Sequence, residues 1–365
     1  MIGSRSFHFE VARPIFSFCR VNGNLPSVTV LIAARPDQAD IKAVTAAHAL
    51  EYPSDKLEIL VARGKQPSAQ RNSALKAARG ELIYFLDDDS MPPSDNLRRA
   101  VSHFSRPEVR MVGGPNLCPP EAPELEQIFA LVLACSLAFG PSRARYLSVG
   151  EVRETSEKEL ILCNLMARRD AMLELGGFDE SLYPNEENAL MDELQKRGGK
   201  LIYDPDFVVQ RRPRSNLKSF ARMLKTYGRG RAEQFRVNPT FGSALNFVPP
   251  LFLVYLIAVV TTLILVPAIG KLLLLPLALY VAVVLVQAAM LVKVPNPKSK
   301  IEAPGSASTG PQPPGFATRL LRALAVIPLI VLTHVLYGFG FWRGLFTSLK
   351  PPGVATPVPV TLERP

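Results

Sequence analysis

Cysteine, histidine and tryptophan are scarce in this chain of 365 residues. Its four cysteines, Cys19, Cys118, Cys135 and Cys163, stand far apart without a Cys-x-x-Cys pair, and its four histidines are equally scattered. A disulfide framework or a structural zinc site needs ligands at short fixed spacings, so neither is expected. Charge is sparse as well, at 20% of residues against 48% hydrophobic, and the mean hydropathy is +0.14. A chain this apolar is not intrinsically disordered, and its 33 prolines gather in linkers and tails without a fibrous repeat. The short apolar run Ile15–Cys19 follows Glu10 and Arg13, which is not the pattern of a secretory signal peptide.

The last third lacks charge almost completely. Phe247–Ile269 is 23 residues without a charged side chain, and Leu272–Val292 is another 21. A helix rises about 1.5 Å per residue, so ~20 apolar residues cross the hydrocarbon core of a bilayer. Both runs are read as membrane spans, and Ala323–Trp342 is a third candidate. Acids are missing just before them: Arg211–Arg236 carries nine basic residues against one acid, Glu233, much of the chain's net charge of +10. By the excess of Lys and Arg, residues 1–245 are expected to face the cytoplasm. With three spans the short tail would face away. The expected organisation is an N-terminal segment (1–26), a catalytic domain (27–210), a basic amphipathic segment (211–244), two spans (245–292), a Pro/Ser/Gly-rich cytoplasmic loop (293–320), a third span (321–345) and a tail (346–365).

The first 245 residues read as an α/β domain. Short apolar runs at Val28–Ala33, Leu57–Ala62 and Leu82–Leu86 predict buried strands, and Ala39–Leu50 and Ser68–Ala78 predict helices between them. That alternation argues for a parallel sheet with crossover helices, whose ligands bind beyond the carboxyl ends of the strands. Asp87-Asp88-Asp89 follows the third of these strands directly. Three adjacent carboxylates fit a Mg²⁺ or Mn²⁺ ion that also bridges substrate phosphates, or else a solvated turn at a helix start. Glu186-Glu187 is a second acidic pair. It suits proton abstraction, because neighbouring carboxylates raise one another's pKa, or it is simply a helix N-terminus that favours acids.

On these residues the chain resembles a family 2 glycosyltransferase of the GT-A fold over residues 27–236. Gly80–Ser90 is similar to that family's strand leading into its Asp-x-Asp motif. Asn164–Glu180, ending Gly-Gly-Phe-Asp-Glu, resembles its acceptor-side strand and helix. The resemblance implies that Asp87 and Asp89 hold Mg²⁺ or Mn²⁺ against the diphosphate of a nucleotide-sugar donor, with Asp88 beside them. It implies that the first strand meets the nucleobase near Ala33, and that Arg71-Asn72 contacts the nucleotide. Glu187 falls at the position of the family's catalytic base, with Glu186 next to it. Arg63 stands where the family commonly has an Asp that contacts the nucleobase. The Gln-x-x-Arg-Trp motif of processive synthases is missing, and Gln210–Arg214 is the related region of a non-processive enzyme.

Arg211, Arg212, Arg214, Arg229 and Arg231 are candidates for holding a donor diphosphate or a lipid-linked phosphate. Phe220, Met223, Leu224 and Tyr227 recur at helical spacing between the cations, as in a helix lying at a bilayer surface. No nucleic-acid reader motif accompanies the charge, so nucleic acid is not an expected partner. The uncharged run Ile128–Gly140 is too short to span and is expected to be a buried crossover helix, or else to lie at the interface near the acceptor. The expected activity is inverting, metal-dependent sugar transfer onto a hydroxyl of a lipid-linked or envelope-glycan acceptor at the inner membrane. Alternatives are transfer onto a polyprenyl phosphate, or a non-enzymatic module of an export assembly.

Overall fold

The apolar runs near the start become the inner strands of a sheet. In a computed structural model of the protein, residues 25–182, 185–237, 239, 241–292, 315–349 and 358–365 are described. The expectations for residues 1–24 and for most of the Pro/Ser/Gly-rich loop lie outside the described residues. Strands β1 (Val28–Ala34), β2 (Leu57–Arg63) and β3 (Leu82–Asp87) alternate with helices α1 (Lys42–His48) and α2 (Pro67–Ala77). β1 lies between β2 and β3 and is parallel to both. Val30 and Ile32 face one buried cluster, while Leu31 and Leu60 face another across the sheet. With both faces covered, the strands read as continuous hydrophobic runs rather than alternating ones.

The chain continues through α3 (Asn96–His103), β4 (Val109–Gly113), β5 (Asn116–Leu117), α4 (Glu124–Leu133) and α5 (Ser136–Phe139). Next come β6 (Arg153–Thr155), β7 (Asn164–Arg168), α6 (Arg169–Glu174), α7 (Glu186–Lys196), β8 (Lys200–Tyr203) and β9 (Val209–Gln210). The helical part comprises α8 (Leu217–Val237), α9 (Val248–Leu265), α10 (Pro267–Leu291) and α11 (Phe316–Phe346), and β10 (Thr361–Glu363) closes the series. The sheet order is β10-β2-β1-β3-β7-β4-β8-β6. β7 runs antiparallel to both β3 and β4, so the sheet is mixed, and the parallel expectation holds for its first three strands. Burial on both faces is common to parallel and antiparallel inner strands, which is why the hydrophobic pattern could not give their direction.

Helices α10 and α11 and an extended α9 (Ala244–Leu265) are long and apolar enough to cross a membrane, with mean hydropathies of 2.5, 2.0 and 2.4. Ile257, Ile264, Leu272 and Leu275 on α9 and α10 are exposed, an apolar surface that suits lipid rather than water. α11 lies along α8 at backbone contact. A Cβ on Gly228 of α8 would sit 2.0 Å from the Tyr337 carbonyl oxygen, and one on Gly340 of α11 would sit 2.1 Å from that of Lys225. Only glycine permits this approach.

Three expectations are corrected here. The apolar stripe of α8 does not face outward: Phe220 and Leu224 are buried beneath α4 and α11, and the Phe220 ring stacks on Phe129 at 4.2 Å. Helical spacing identifies the stripe but not the surface that covers it. The run Ile128–Gly140 is not one crossover helix on the sheet. It forms the end of α4 and all of α5, a pair bent by 58° and packed in the cluster built with α8, α10 and α11. Finally, the tail does not face away from the sheet. β10 pairs antiparallel with β2, Thr361 opposite Arg63 and Glu363 opposite Val61, so the two share one side of any bilayer. Counting positive charges beside spans cannot detect a strand pairing so distant in sequence.

Candidate active site

The acidic triplet stands where the sheet ends. β3 delivers Asp87 at its last residue, in register with the half-buried Ala33 at the end of β1. Asp88 turns its main-chain carbonyl to α1, where it accepts from the Ala43 N–H at 3.1 Å. Met91 and Gln210 exchange backbone hydrogen bonds of 2.9 Å, and that bridge carries the next residue, Arg211, over the triplet. Its Nε lies 2.5 Å from Asp89 Oδ1 and its Nη2 lies 3.2 Å from Asp87 Oδ2. One guanidinium thus spans the two carboxylates assigned to the metal.

A second arginine joins the two acidic clusters. From inside α2, Arg71 extends Nη2 to Asp87 Oδ1 at 3.4 Å and Nη1 to Glu186 Oε1 at 3.2 Å. Glu186 opens α7 and is buried, whereas Glu187 is half-buried beside it. The two clusters respond differently. Burial disfavours the Asp87 carboxylate, but Arg211, Arg71 and Arg214 outweigh it and hold its pKa below the ordinary value. Glu186 has fewer cations. Burial and the charge of Glu187 push it up to about 7 against the pull of Arg71.

Asn72 and Arg63 face elsewhere. Asn72 donates to the Phe178 carbonyl at 2.8 Å and to Glu180 Oε1 at 3.0 Å, and accepts from the Phe178 N–H at 2.8 Å. It pins the Gly-Gly-Phe-Asp-Glu loop, which corrects its expected place at the nucleotide. Gly177 in that loop has φ +84°, and a Cβ there would lie 2.4 Å from Asn72 Oδ1, so the loop needs glycine for both reasons. Arg63 is bound to Glu363 and to main-chain carbonyls of the β1–α1 loop rather than pointing into open space. Arg212 is paired in a fork with the buried Glu126 of α4, at 2.7 and 2.5 Å.

A cavity of about 450 Å³ opens beside Asp89 and Arg211. Arg212 and Arg214 line it together with Leu133 of α4, Met223 and Tyr227 of α8, and Tyr146. The Arg71 bridge, the Glu126 partner and the paired hydroxyls of Tyr146 and Tyr227 were not identified from the sequence. Glu126 carried a signal, since an acid inside an apolar helix that becomes buried requires a cation. Among the described residues no three acidic, histidine or cysteine side chains gather as a self-sufficient metal site. The donor set nevertheless fits a hard divalent ion that brings phosphate ligands with it. Asp87 and Asp89 already converge on one cation, with the Arg211 guanidinium in that place.

Known proteins match the same regions. A family model described as "Glycosyl transferase family group 2" matches residues 82–291, and one described as "Glycosyl transferase family 2" matches residues 39–122. The chain is similar to the pre-mycofactocin glycosyltransferase of Mycobacterium tuberculosis, 28% identical over 164 residues, which is 45% of this chain and 34% of that protein. It thus spans about a third of the length of the curated relatives it matches. Among solved structures it is similar to a mannosyltransferase of Pyrobaculum calidifontis in complex with GDP-Man and Mn²⁺, at a TM-score of 0.48 and 18% identity over 88% of each chain. It is also similar to S. aureus TarS in complex with UDP, at a TM-score of 0.38 and 11% identity over 56% of this chain and 65% of that one. The first family model takes in more than half of the chain, including the acidic strand end, the Glu186-Glu187 helix start and α8 to α10: the protein belongs to family 2 of the glycosyltransferases.

Proposed function

We propose that the protein transfers a sugar from a nucleotide-diphosphate donor to a hydroxyl of a lipid-linked or glycan acceptor, at the cytoplasmic face of the inner membrane. The observation that carries this reading is the Arg71 bridge. It ties the Asp87–Asp89 strand end to the Glu186–Glu187 pair in one network beside an open cavity. In this reading Asp87 and Asp89 hold Mg²⁺ or Mn²⁺ against the donor diphosphate. Such an ion offsets negative charge on the departing group. Arg211 moves from the two carboxylates to the diphosphate oxygens, for which its planar fork is suited.

Glu187 takes the role of base. Glu187 is the less buried of the pair, whereas Glu186 is buried against Arg71. Glu187 removes the acceptor hydroxyl proton as that oxygen attacks the anomeric carbon opposite the diphosphate, so the configuration inverts. Glu186 holds Arg71 in place and sets the local field. The apolar walls from α4 and α8 favour an acceptor with a lipid part, and the Arg211–Arg236 flank favours a cytoplasmic active site.

Arg212 and Arg214 in the cavity wall favour a second reading, in which a polyprenyl phosphate is itself the acceptor. An anionic phosphate needs no base. Transfer assays with hydroxyl and phosphate acceptors separate the two readings: Glu187→Gln abolishes the first and spares the second. A wild-type protein that binds no nucleotide diphosphate and consumes no nucleotide sugar would refute both.

A further inference from the structure

We infer that β10 is part of the donor site, as a clasp in which Arg63 and Glu363 set the conformation of the loop between β1 and α1. The inference rests on the donor site proposed above.

Without β10, β2 would be the bare edge of the sheet, with a row of unpaired backbone groups. β10 covers that edge at the end nearest the acidic triplet, and Val360 and Leu362 pack against the buried cluster that contains Leu60 and Ala62. Arg364 fastens the far side, with Nε 3.0 Å from Glu58 Oε1 and Nη2 donating to the Ala77 carbonyl at 3.1 Å. Arg63 is the hub. Its Nε meets Glu363 Oε1 at 2.8 Å, while Nη1 donates to the carbonyls of Gln38 at 2.7 Å and Arg35 at 3.3 Å.

Those two carbonyls belong to the loop that leaves β1 after Ala34, next to Ala33. The loop runs into α1, where Ala43 N–H is held by the Asp88 carbonyl. Both ends of the loop therefore touch the donor site, and Arg63 fixes its middle. Arg63 thus acts as a positioning residue for the nucleobase end of the site, with Glu363 as its anchor. The Arg63–Glu363 pair is partly exposed, at 20% and 45% of the side-chain surface, and charge attraction alone is weak there. Backbone pairing and the seating of Leu362 carry most of the hold, so disrupting the strand has a larger effect than removing Glu363. The clasp also requires the chain to return to the catalytic side after its helices. The number of crossings between α8 and β10 is then even.

The test uses the full-length protein and three substitutions: Leu362→Asp, Arg63→Ala and Glu363→Gln. Hydrogen exchange is read at residues 35–40 and 57–63, and affinity is read with UDP, GDP, ADP, CDP and dTDP plus Mn²⁺. Leu362→Asp and Arg63→Ala are expected to speed exchange in both segments. They should weaken the preferred nucleotide about tenfold through the loosened loop, while turnover at saturating donor stays within about twofold. Glu363→Gln, which keeps a hydrogen-bond acceptor, should cost less than Arg63→Ala. Unchanged exchange in Leu362→Asp would overturn the clasp. Faster exchange with unchanged nucleotide affinity would overturn its link to the donor site. A wild-type protein that binds none of UDP, GDP, ADP, CDP and dTDP with Mn²⁺ would instead refute the donor reading and, with it, this inference, while leaving the exchange result intact.

Discussion

Two carboxylate clusters share one arginine, yet their protons respond in opposite directions. Arg71 touches both Asp87 and Glu186 at similar distances, 3.4 and 3.2 Å. Asp87 has Arg211 and Arg214 as additional cations, so its charge survives burial and its pKa falls. Glu186 has Arg71 and a like charge next to it, so burial prevails and its pKa rises to about 7. The comparison teaches that the balance of neighbouring charges, rather than burial alone, decides which carboxylate stays ionised. In one cluster Asp87 keeps a fixed negative charge, and in the other Glu186 gains or loses its proton near neutral pH.

The largest effect expected from breaking this arrangement is kinetic. Glu187→Gln keeps shape but cannot accept a proton, so transfer to a hydroxyl acceptor should fall ~10²–10⁴-fold with donor affinity nearly unchanged. Steady-state assays at saturating donor check this, and full activity would remove Glu187 from the role of base. Next in size is the bridge itself. Arg71→Ala leaves a partly buried carboxylate on each side without this partner and should cost about 2–4 kcal/mol of stability in denaturant unfolding. A loss under about 0.5 kcal/mol would mean the two clusters are not coupled through it.

The smallest effect is a pH slope. Glu186 has a folded pKa near 7 against an ordinary 4.5, so the folded protein keeps a proton that the unfolded chain has released. Stability is therefore greatest below the ordinary value and falls as pH rises through 7, by up to about 2–3 kcal/mol. Asp87 contributes the reverse, with stability lost as pH falls below the ordinary carboxylate range. Melting temperatures from pH 4.5 to 8 should decline in the wild type and flatten in Glu186→Gln. Equal slopes in both would contradict the contrast between the clusters.

Membrane seating gives a further prediction, independent of the chemistry. A cysteine at Pro365 should be labelled from the same side as one at Lys56, and one at Lys271, near the start of α10, from the opposite side. Labelling of Pro365→Cys together with Lys271→Cys would contradict the pairing of β10 with β2.

The sequence made the strand-end acids, the apolar helices and the basic helix legible because each is written in contiguous residues with its own period or charge. Asp87 and Asp89 could be placed at a strand's end because the apolar run before them stops there. What could not be read depends on contacts distant in sequence. Asn72 sits next to Arg71, but one turns to the Phe178 loop and the other to Asp87 and Glu186. Arg63 looked like a displaced ligand contact until β10 supplied Glu363. The stripe on α8 was correctly periodic, but whether protein or lipid covers it depends on α4 and α11. Local patterns fix which face is apolar, and only tertiary packing fixes its neighbour.

The most direct test of the central claim is a titration of nucleotide diphosphates into the wild type and Asp89→Asn, with and without Mn²⁺, followed by melting temperature. Binding to the folded state alone raises stability as ligand exceeds its Kd, by about 2.7 kcal/mol at a hundredfold excess. The account predicts that one nucleotide diphosphate stabilises the wild type strongly with Mn²⁺ and weakly without it, and that Asp89→Asn abolishes the difference. An Asp89→Asn protein that keeps the full Mn²⁺-dependent shift would contradict the placement of donor and metal at the Asp87–Asp89 strand end.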